Sequence, residues 1–308
     1  MWRVDKVKQF KKAMLIYNGS AGQKDLETTL RDTIPLLGQQ LGNLLLLQTD
    51  EPGHAKELCR QYGPDMDLAV ILGGDGTVHE CINGLAGLGK RPVLAVLPGG
   101  TCNDFTRTLE TPQNLRRAAM ELLEGEVVPV DAMRADNSYF MNFWGVGLVT
   151  ETSNNINEAE KALFGKMSYF LSAIRTIKQM KPFRFKVTVD NENITDEAVA
   201  LLLVNGRFIG TRELPFQNVH IDDGYADLFI IKNTNFALLR EILAHDITAT
   251  ENPLTQEILH FRGREFVIET DSELDADTDG EVYSKTPAHI TVLKHHFDML
   301  KPRLAILT

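Results

Sequence analysis

The sequence predicts a two-domain protein of class α/β plus β: a doubly wound, mostly parallel α/β domain followed by an antiparallel β-sandwich or barrel. The length of 308 residues exceeds the size at which one hydrophobic core grows efficiently, which favours two domains. Up to about Asp131, short apolar runs alternate with longer amphipathic segments, as in a parallel sheet covered by helices. Beyond Asp131, strands follow one another with few crossover helices, which is typical of an antiparallel sandwich or barrel.

The domain boundaries follow from this change of rhythm. We expect residues 1–131 to form the α/β domain, with 296–308 returning to it, and residues 132–295 to form the β-rich domain. The sequence contains no low-complexity tract or long linker, so we expect the two domains to pack closely. The cleft between two such domains is the usual place for an active site.

The first domain is predicted to alternate buried strands with helices, each strand being bounded by Gly, Pro or Asp. The predicted strands are Ala13–Tyr17, Leu44–Leu47, Leu68–Leu72 and Val93–Leu97. The predicted helices are Asp25–Leu41, Gly53–Tyr62, Thr77–Gly87 and Thr111–Glu124.

The second domain is predicted to consist mainly of strands, interrupted by helices at Ala162–Gln179 and Phe236–Ala249. The predicted strands are Asn137–Trp144, Phe183–Asp190, Glu197–Asn205, Ala226–Lys232, Glu257–Phe261, Arg264–Thr270 and His289–Leu293.

Composition and charge exclude several classes of protein. With 32 basic and 42 acidic side chains the net charge is −10, which argues against a nucleic-acid partner and against adhesion of the whole surface to an anionic membrane. The 3 cysteines have no CxxC spacing, so a reducing cytoplasm fits better than a disulfide framework. The N-terminus lacks a secretory apolar region, and the longest apolar run, Ala198–Val204, is too short for a membrane span.

Three glycine-rich turns follow predicted strands of the first domain. The most informative is Gly73–Glu80, with the sequence GGDGTVHE, where backbone N–H groups can approach an oxyanion and Thr77 can cap the next helix. A similar turn, Pro98–Phe105, follows the next strand, and Asn18–Gly22 follows the first. A single such turn could be a plain strand-to-helix connection. Three turns at one edge of an α/β sheet indicate a ligand site for phosphate groups.

These residues resemble the diacylglycerol-kinase catalytic family, in particular its small soluble bacterial lipid kinases of the BmrU-like group. The stretches that carry the resemblance are GGDGTVHE at 73–80, LPGGTCNDFTRTL at 97–109, IDDGYADL at 221–228 and TDGE at 278–281. GGDGT alone also occurs in NAD kinases, whereas the following GTCNDF is specific to the match. The resemblance spans essentially the whole chain.

The resemblance implies an ATP site in the first domain. Its residues would be Asn18, Gly19, Ser20, Ala21, Gly22, Thr49, Gly73, Gly74, Asp75, Gly76, Thr77, Val78, His79, Thr101, Asn103 and Asp104. Asp75 would help organise a catalytic Mg²⁺, with Asp104 and Asp131 supporting it through water or hydrogen bonds. The Walker sequence GxxxxGK[ST] is absent, so backbone amides, helix dipoles and the metal must neutralise the phosphate charge.

The resemblance also assigns roles in the second domain. Glu281 would be the general base that takes the proton of the acceptor hydroxyl, and Asp279 would orient Glu281 or assist the metal. From the residues alone, Asp271–Glu281 could equally be an acidic hairpin loop. Taken from Asp275, it begins like a calcium-binding EF-hand loop but has Thr286 at position 12, where that loop requires Glu. Near Tyr225 the family has a second, structural Mg²⁺, which the Asp223 carboxylate and the backbone carbonyls of His220 and Tyr225 would bind. A simple turn is the alternative there.

The resemblance implies an ATP- and Mg²⁺-dependent lipid kinase that transfers the γ-phosphoryl group of ATP to a lipid hydroxyl. The expected acceptor is diacylglycerol, which would be converted to phosphatidic acid in phospholipid metabolism. The alternatives are an NAD or sphingoid-base kinase and a catalytically inactive nucleotide-binding regulatory module. Mn²⁺ could replace Mg²⁺, since both prefer oxygen ligands.

We expect a cytoplasmic protein that contacts the inner membrane surface transiently, and the sequence also allows a homodimer. Arg175–Lys186, where basic residues alternate with apolar ones, is the candidate docking segment; the end of a helix leading into a strand is its alternative.

Overall fold

The computed structural model describes residues 10–19, 26–147, 182–214, 216, 218–232 and 258–303. The chain divides into two compact units: unit 1 is Met1–Val130 with His295–Thr308, and unit 2 is Asp131–Lys294. Within the described part of the chain, no helix is long and apolar enough to cross a membrane. The predicted helices Ala162–Gln179 and Phe236–Ala249 lie outside the described residues.

Unit 1 contains the predicted parallel sheet. Its strands are β1 (Lys12–Asn18), β2 (Asn43–Thr49), β3 (Leu68–Gly73) and β4 (Val93–Pro98). They pair in parallel in the order β2-β1-β3-β4. β3 is buried along its whole length, as its continuous apolar sequence predicts for a central parallel strand.

Helices connect these strands, and their bounds correct two details of the prediction. They are α1 (Leu26–Gln40), α2 (His54–Tyr62), α3 (Asp75–Leu85), α4 (Asp104–Thr108) and α5 (Leu115–Leu122). The prediction that Thr77 caps α3 is wrong, because α3 begins at Asp75 and Gly74 is its N-cap. The helix predicted from Thr111 begins instead at Leu115, since the side chain of Asn114 caps it by accepting a hydrogen bond from the Arg117 N–H at 3.0 Å.

Unit 2 is the predicted antiparallel β-sandwich. The strands that follow α5 are β5 (Glu126–Ala135), β6 (Ser138–Phe140), β7 (Phe143–Val146), β8 (Phe183–Val189), β9 (Glu192–Ala198), β10 (Ala200–Val204), β11 (Phe208–Ile209), β12 (Arg212–Glu213), β13 (Ala226–Ile231), β14 (Ile258–Gly263), β15 (Glu265–Thr270), β16 (Asp275–Thr278), β17 (Glu281–Lys285) and β18 (Ala288–Lys301). One sheet contains the first part of β18 with β15, β8 and β9, and the other has the order β14-β13-β10-β7-β16-β17. Trp144 and Leu203 from the second sheet and Phe185 and Phe266 from the first belong to one buried core.

The strand predicted at Glu197–Asn205 is two strands in two different sheets. β9 pairs with β8, whereas β10 pairs with β7 and β13. Val199 lies between them and donates its N–H to the Ile231 carbonyl at 2.8 Å. The apolar run hides this break because both strands are extended, and hydrophobicity does not show which neighbour each one pairs with.

The last strand is longer than predicted. β18 runs from Ala288 to Lys301, and its first part pairs with β15 in unit 2. Near its end, Met299 pairs in parallel with Leu94 of β4, so the C-terminal part of the chain adds a strand to the sheet of unit 1.

Candidate functional site

The strand order of unit 1 creates a ligand-binding edge. The chain passes from β1 to β2 on one side and then to β3 on the other side, so the connections leave β1 and β3 in opposite directions. In open α/β sheets, ligands bind in the crevice outside the carboxyl ends of two such strands. A small pocket that opens to solvent lies there; Asn18 of β1, Gly73 of β3 and Gly99 after β4 line it.

Two of the predicted glycine-rich turns pack directly against each other. The Gly99 N–H donates to the Gly73 carbonyl at 3.0 Å. A Cβ atom on Gly100 would lie 2.4 Å from the Cα of Gly74, closer than real Cβ atoms approach backbone. These glycines are therefore required because two backbones touch, in addition to any approach by an anion.

Asp75 joins these two turns through its carboxylate. Its Oδ1 accepts the Asp104 N–H at 2.8 Å and its Oδ2 accepts the Asn103 N–H at 3.0 Å. Asn103 has a left-handed backbone with φ 54°, and its side chain accepts the Gly100 N–H and donates to the Gly100 carbonyl. The structure thus brings together three predicted site residues, Asp75, Asn103 and Asp104.

The electrostatics of Asp75 differ from those of an ordinary surface carboxylate. Burial, followed by the negative charge of Asp104, raises the pKa of Asp75 to about 7, although the backbone N–H groups oppose this increase. A carboxylate in such an environment is stabilised by a nearby cation, which replaces the hydration that burial removes.

The residues around Asp75 fit a nucleotide-bound Mg²⁺. A carboxylate has about four acceptor positions, and the backbone hydrogen bonds that Asp75 accepts from Asn103, Asp104 and Phe105 leave room for a metal or a metal-bound water. The described residues contain no group of three or more His, Cys, Asp or Glu side chains that could hold a metal ion. Asp75 would therefore hold Mg²⁺ together with waters and phosphate oxygens, which is the usual arrangement for this ion.

Other residues predicted to contact the nucleotide lie at or just after the ends of strands β1, β2 and β4. Asn18 ends β1 beside the cavity, and Gly19 follows it and donates its N–H to the carbonyl of buried Thr49 at 3.4 Å. Thr101 is exposed in the turn after β4. Ser20, Ala21 and Gly22 lie outside the described residues.

The first turns of α3 hold the rest of the predicted nucleotide residues. Gly76 and Thr77 are partly exposed, whereas Val78 and His79 are buried. A Cβ on Gly73 would lie 2.6 Å from the Cβ of Thr77, so Thr77 packs beneath the turn.

Glu80, the last residue of GGDGTVHE, has a role that the sequence did not indicate. Its Oε1 accepts the Gly53 N–H at 2.8 Å and its Oε2 accepts the Ala55 N–H at 3.2 Å. These donors belong to the start of α2, where backbone N–H groups lack partners within the helix. Glu80 therefore anchors α2 to α3, a contact between residues far apart in the sequence.

In unit 2, Asp279 and Gly280 form a two-residue hairpin turn. Both have positive φ values, 54° and 94°, which is the backbone of a type I′ turn and explains the Asp-Gly sequence. Glu281, the predicted base, begins β17 opposite Thr278. Asp277 supports the turn by accepting the Gly280 N–H at 2.8 Å.

The carboxylate of Asp279 binds three consecutive backbone N–H groups. Its Oδ2 accepts the N–H of Met141 at 3.0 Å, and its Oδ1 accepts those of Asn142 and Phe143, both at 2.9 Å. Asp279 is buried. The geometry supports positioning of the turn that precedes Glu281 by hydrogen bonds to the start of β7.

Asp131, which we expected near Asp75, contacts residues of unit 2. Its side chain is fully buried; Oδ2 accepts the Gly224 N–H at 2.6 Å, and the Asp131 N–H donates to the Ile221 carbonyl at 2.7 Å. Asp131 therefore holds the segment that contains the expected second metal site.

The residues at that second site do not fit a divalent cation. One oxygen of Asp223 contacts the Arg262 guanidinium and the other accepts the Tyr225 N–H at 2.9 Å. A guanidinium beside this carboxylate would repel Mg²⁺. The expectation that Asp223 binds a cation with the carbonyls of His220 and Tyr225 therefore disagrees with this geometry.

Part of the candidate membrane-docking segment is described, and its charges are paired. Arg184 contacts Glu197 at 3.1 Å and Lys186 contacts Glu269 at 2.8 Å. Residues 175–181 of the segment lie outside the described part of the chain.

Comparisons with known proteins agree with this architecture. The diacylglycerol kinase catalytic domain matches residues 12–135, and the YegS C-terminal NAD kinase beta sandwich-like domain matches residues 145–301. A Staphylococcus aureus (strain JH9) protein named "Putative lipid kinase" is 30% identical over 292 residues, 93% of this chain and 96% of its own length.

Solved structures from Bacillus anthracis str. Sterne are similar over nearly the whole chain. One, described as "a putative diacylglycerol kinase", has a TM-score of 0.88 and 42% identity, covering 96% of this chain and 98% of its own. Another, described as a diacylglycerol kinase, has a TM-score of 0.86 and 41% identity, covering 97% and 99%. This chain therefore belongs to the diacylglycerol kinase catalytic-domain family and has the two-domain organisation of its YegS-like members.

Proposed function

We propose that this protein is an ATP- and Mg²⁺-dependent lipid kinase whose acceptor is the hydroxyl group of diacylglycerol. The observation that carries the proposal is the carboxylate of Asp75, which backbone N–H groups of Asn103 and Asp104 hold at the carboxyl edge of the parallel sheet. That edge is where α/β sheets bind nucleotides. Relatives named as lipid or diacylglycerol kinases support the acceptor class.

The nucleotide half of the proposal assigns ATP to unit 1. The turns at Gly73–Gly74 and Gly99–Gly100 present backbone without side chains, so phosphate oxygens can approach their N–H groups. When bound at Asp75, Mg²⁺ supplies charge neutralisation to the phosphate oxygens. Asp104 raises the negative charge around Asp75 and so strengthens its attraction for a cation.

The acceptor half assigns the proton transfer to Glu281 of unit 2. The lipid hydroxyl oxygen forms a bond to the γ-phosphorus while the bond from that phosphorus to the bridging oxygen breaks. The hydroxyl proton passes to the Glu281 carboxylate, and ADP leaves with the electron pair of the broken bond. A carboxylate of ordinary basicity suffices, because phosphoryl transfer depends mainly on positioning and electrostatics.

A lipid acceptor requires the reaction to occur at a membrane surface. Extracting a long-chain diacylglycerol into water would expose on the order of 30 methylenes at about 0.8 kcal/mol each. That cost exceeds what a binding pocket normally recovers. We therefore propose transient docking of the protein on the inner membrane surface, with only the headgroup hydroxyl entering the site.

An NAD kinase is the second candidate, because the family that matches residues 145–301 is described as NAD kinase beta sandwich-like. One assay separates the candidates. The purified chain is incubated with labelled ATP, MgCl₂ and either diacylglycerol in mixed micelles, sphingosine or NAD. Labelled phosphatidic acid supports the proposal, whereas labelled NADP or sphingosine phosphate selects another kinase. ATP binding without any labelled product selects a regulatory module.

Two substitutions test the residue roles within this assay. We expect Asp75→Ala and Glu281→Gln each to abolish transfer, and Glu281→Gln to leave ATP binding intact because Glu281 belongs to the acceptor half. Glu192→Gln, an exposed strand residue of unit 2, is the control and should behave as wild type. Turnover close to wild type in either test variant would remove that residue from the mechanism.

A further inference from the structure

Three side chains, those of Asp131, Lys294 and Asp223, lie against the backbone of the segment from His220 to Tyr225. Asp131, fully buried, accepts the Gly224 N–H, and its own N–H donates to the Ile221 carbonyl. Gly224 has φ 83°, and the aliphatic part of Lys294 lies where a Cβ would project from it. Asp223 closes the turn by accepting the Tyr225 N–H at 2.9 Å. Its other oxygen, Oδ2, contacts a different partner.

Arg262 is that partner, and an aromatic ring holds it in place. Its guanidinium contacts the Asp223 Oδ2. The same guanidinium lies 4.6 Å from the centre of the Tyr225 ring. Arg264 lies at the same distance from this ring and donates to the Tyr225 hydroxyl at 3.0 Å. Stacking of a guanidinium on an aromatic ring restricts its movement, so little freedom is lost when Arg262 binds Asp223.

A second carboxylate lies near the same guanidinium. Asp227 on β13 lies directly opposite Arg262 on β14 in the strand register. Burial raises the pKa of Asp227, whereas His260 and Arg262 lower it, which places Arg262 within electrostatic reach of this carboxylate as well. The Asp227 carboxylate itself contacts the His260 ring at 2.6 Å, so Asp223 is the carboxylate that Arg262 contacts directly.

We propose that Arg262 is a built-in cation that takes the place of a structural divalent metal at Asp223, so that folding of this segment does not require Mg²⁺. Without Arg262, the Asp223 carboxylate, with the negative charge of Asp227 nearby, would attract a hard divalent cation. The guanidinium supplies positive charge from within the chain and repels a second cation. The inference concerns unit 2 alone and is independent of the acceptor and of the proposed kinase activity.

The test measures thermal unfolding of the full chain without nucleotide, in EDTA and in millimolar MgCl₂. Four proteins are compared: wild type, Asp223→Asn, Arg262→Gln and the double variant. For each background, wild type or Arg262→Gln, we compare the Mg²⁺-induced Tm shift with and without Asp223→Asn. The part of the shift that disappears with Asp223→Asn is the Asp223-dependent part. This difference removes any contribution from Mg²⁺ bound elsewhere in the molecule.

We expect the Asp223-dependent part of the Mg²⁺-induced Tm shift to be zero in the wild-type background. In the Arg262→Gln background, where Mg²⁺ can enter, it should be a rise of a few degrees. In EDTA, Arg262→Gln should lower Tm by a few degrees, because Asp223 and Arg262 have side-chain exposures of only 23% and 41%. Arg184→Gln breaks a more exposed ion pair in the same unit, with exposures of 76% and 57%, and is the matched control. It should gain no Mg²⁺ response.

An Asp223-dependent rise in Tm with Mg²⁺ in the wild-type background would overturn the proposal. The proposal would also fail if Arg262→Gln showed no Asp223-dependent rise in Tm with Mg²⁺. Mn²⁺ binding to folded wild type provides a second measurement if Arg262→Gln does not fold. Electron paramagnetic resonance should show equal numbers of bound Mn²⁺ ions in wild type and Asp223→Asn. Loss of one bound Mn²⁺ in Asp223→Asn would show that wild-type Asp223 ligates a metal and would refute the inference.

Discussion

Removing the Asp279 carboxylate should strongly destabilise unit 2. In Asp279→Ala, the backbone N–H groups of Met141, Asn142 and Phe143 lose their acceptor at a position that is buried in the wild type. Ala also tolerates the left-handed backbone at this position, φ 54°, less well than Asp does. Two separate costs therefore combine in this variant.

The magnitude can be worked out from these contacts. A buried donor without an acceptor costs about 1–3 kcal/mol. The cavity left by the carboxylate admits some water, so the three costs will not add fully, and we expect a loss of about 3–5 kcal/mol in the free energy of unfolding. At about 2–4 °C per kcal/mol for a domain of this size, Tm should fall by roughly 6–20 °C. Asp279→Asn keeps one carbonyl acceptor and should lie between Ala and wild type.

Asp136→Ala is the matched control. Asp136 is also an aspartate in a hairpin turn with a left-handed backbone, φ 51°, but its side chain is exposed. It therefore carries the backbone cost alone, about 1–2 kcal/mol at most. Urea denaturation, followed by tryptophan fluorescence, measures both variants, since Trp144 lies in the buried core of unit 2.

Kinetics of the Asn variant test the proposed catalytic role of Asp279. If Asp279 only positions the turn before Glu281, the folded fraction of Asp279→Asn should keep its KM for ATP while its kcat falls. Equal urea midpoints for Asp279→Ala and Asp136→Ala would refute the argument, because the three hydrogen bonds would then contribute nothing measurable.

Three further predictions concern unit 1. Gly100→Ala should lower the free energy of unfolding by about 1–3 kcal/mol and weaken ATP binding about tenfold or more, because its Cβ would overlap the Gly74 backbone. Calorimetry of unfolding and of ATP binding measures the two effects. Gly87→Ala is the control and should change neither quantity, because its Cβ would meet nothing within 4 Å. Glu80→Ala should lower Tm by a few degrees in a thermal melt, since it leaves two N–H groups at the start of α2 without their acceptors, whereas unchanged Tm would contradict the capping role. In metal-free buffer, the raised pKa of Asp75, about 7, means that folded protein binds more protons than unfolded protein between about pH 4 and pH 7. The free energy of unfolding should therefore fall across that interval by on the order of 1 kcal/mol per pH unit, and urea titrations of Asp75→Asn should lack this slope.

The sequence predicted those parts of the fold that depend on local pattern. The continuous apolar run at Leu68–Leu72 indicates a strand buried on both faces, and the structure contains it as β3. The alternating run at Phe183–Asp190 likewise predicts β8, in which every second residue is buried. Glycine-rich turns after the strands indicated where the candidate site of unit 1 lies, because glycine leaves the backbone accessible.

Pairing and partner choice could not be predicted in the same way. The split of Glu197–Asn205 into β9 and β10 depends on which strands pair with each part. The residues on both sides of Val199 are in strands, so their sequence pattern does not mark the break. The role of Glu80 depends on the N–H groups of Gly53 and Ala55, more than twenty residues earlier in the chain. Nothing in the local sequence of Glu80 distinguishes a capping carboxylate from a ligand.

The sequence by itself determined the two-domain class, the positions of most strands and the chemical types of the candidate site residues, because periodicity, glycine and acidic side chains are local properties. Only the tertiary structure decided which acids act on which groups. Asp75 binds the turn that carries Asn103 and Asp104, Asp279 binds the start of β7, and Asp223 binds Arg262. Each carboxylate is chemically able to hold a metal, a proton or a backbone N–H, and its surroundings select among these. Those surroundings come from segments distant in the sequence, so they exist only once the chain has folded.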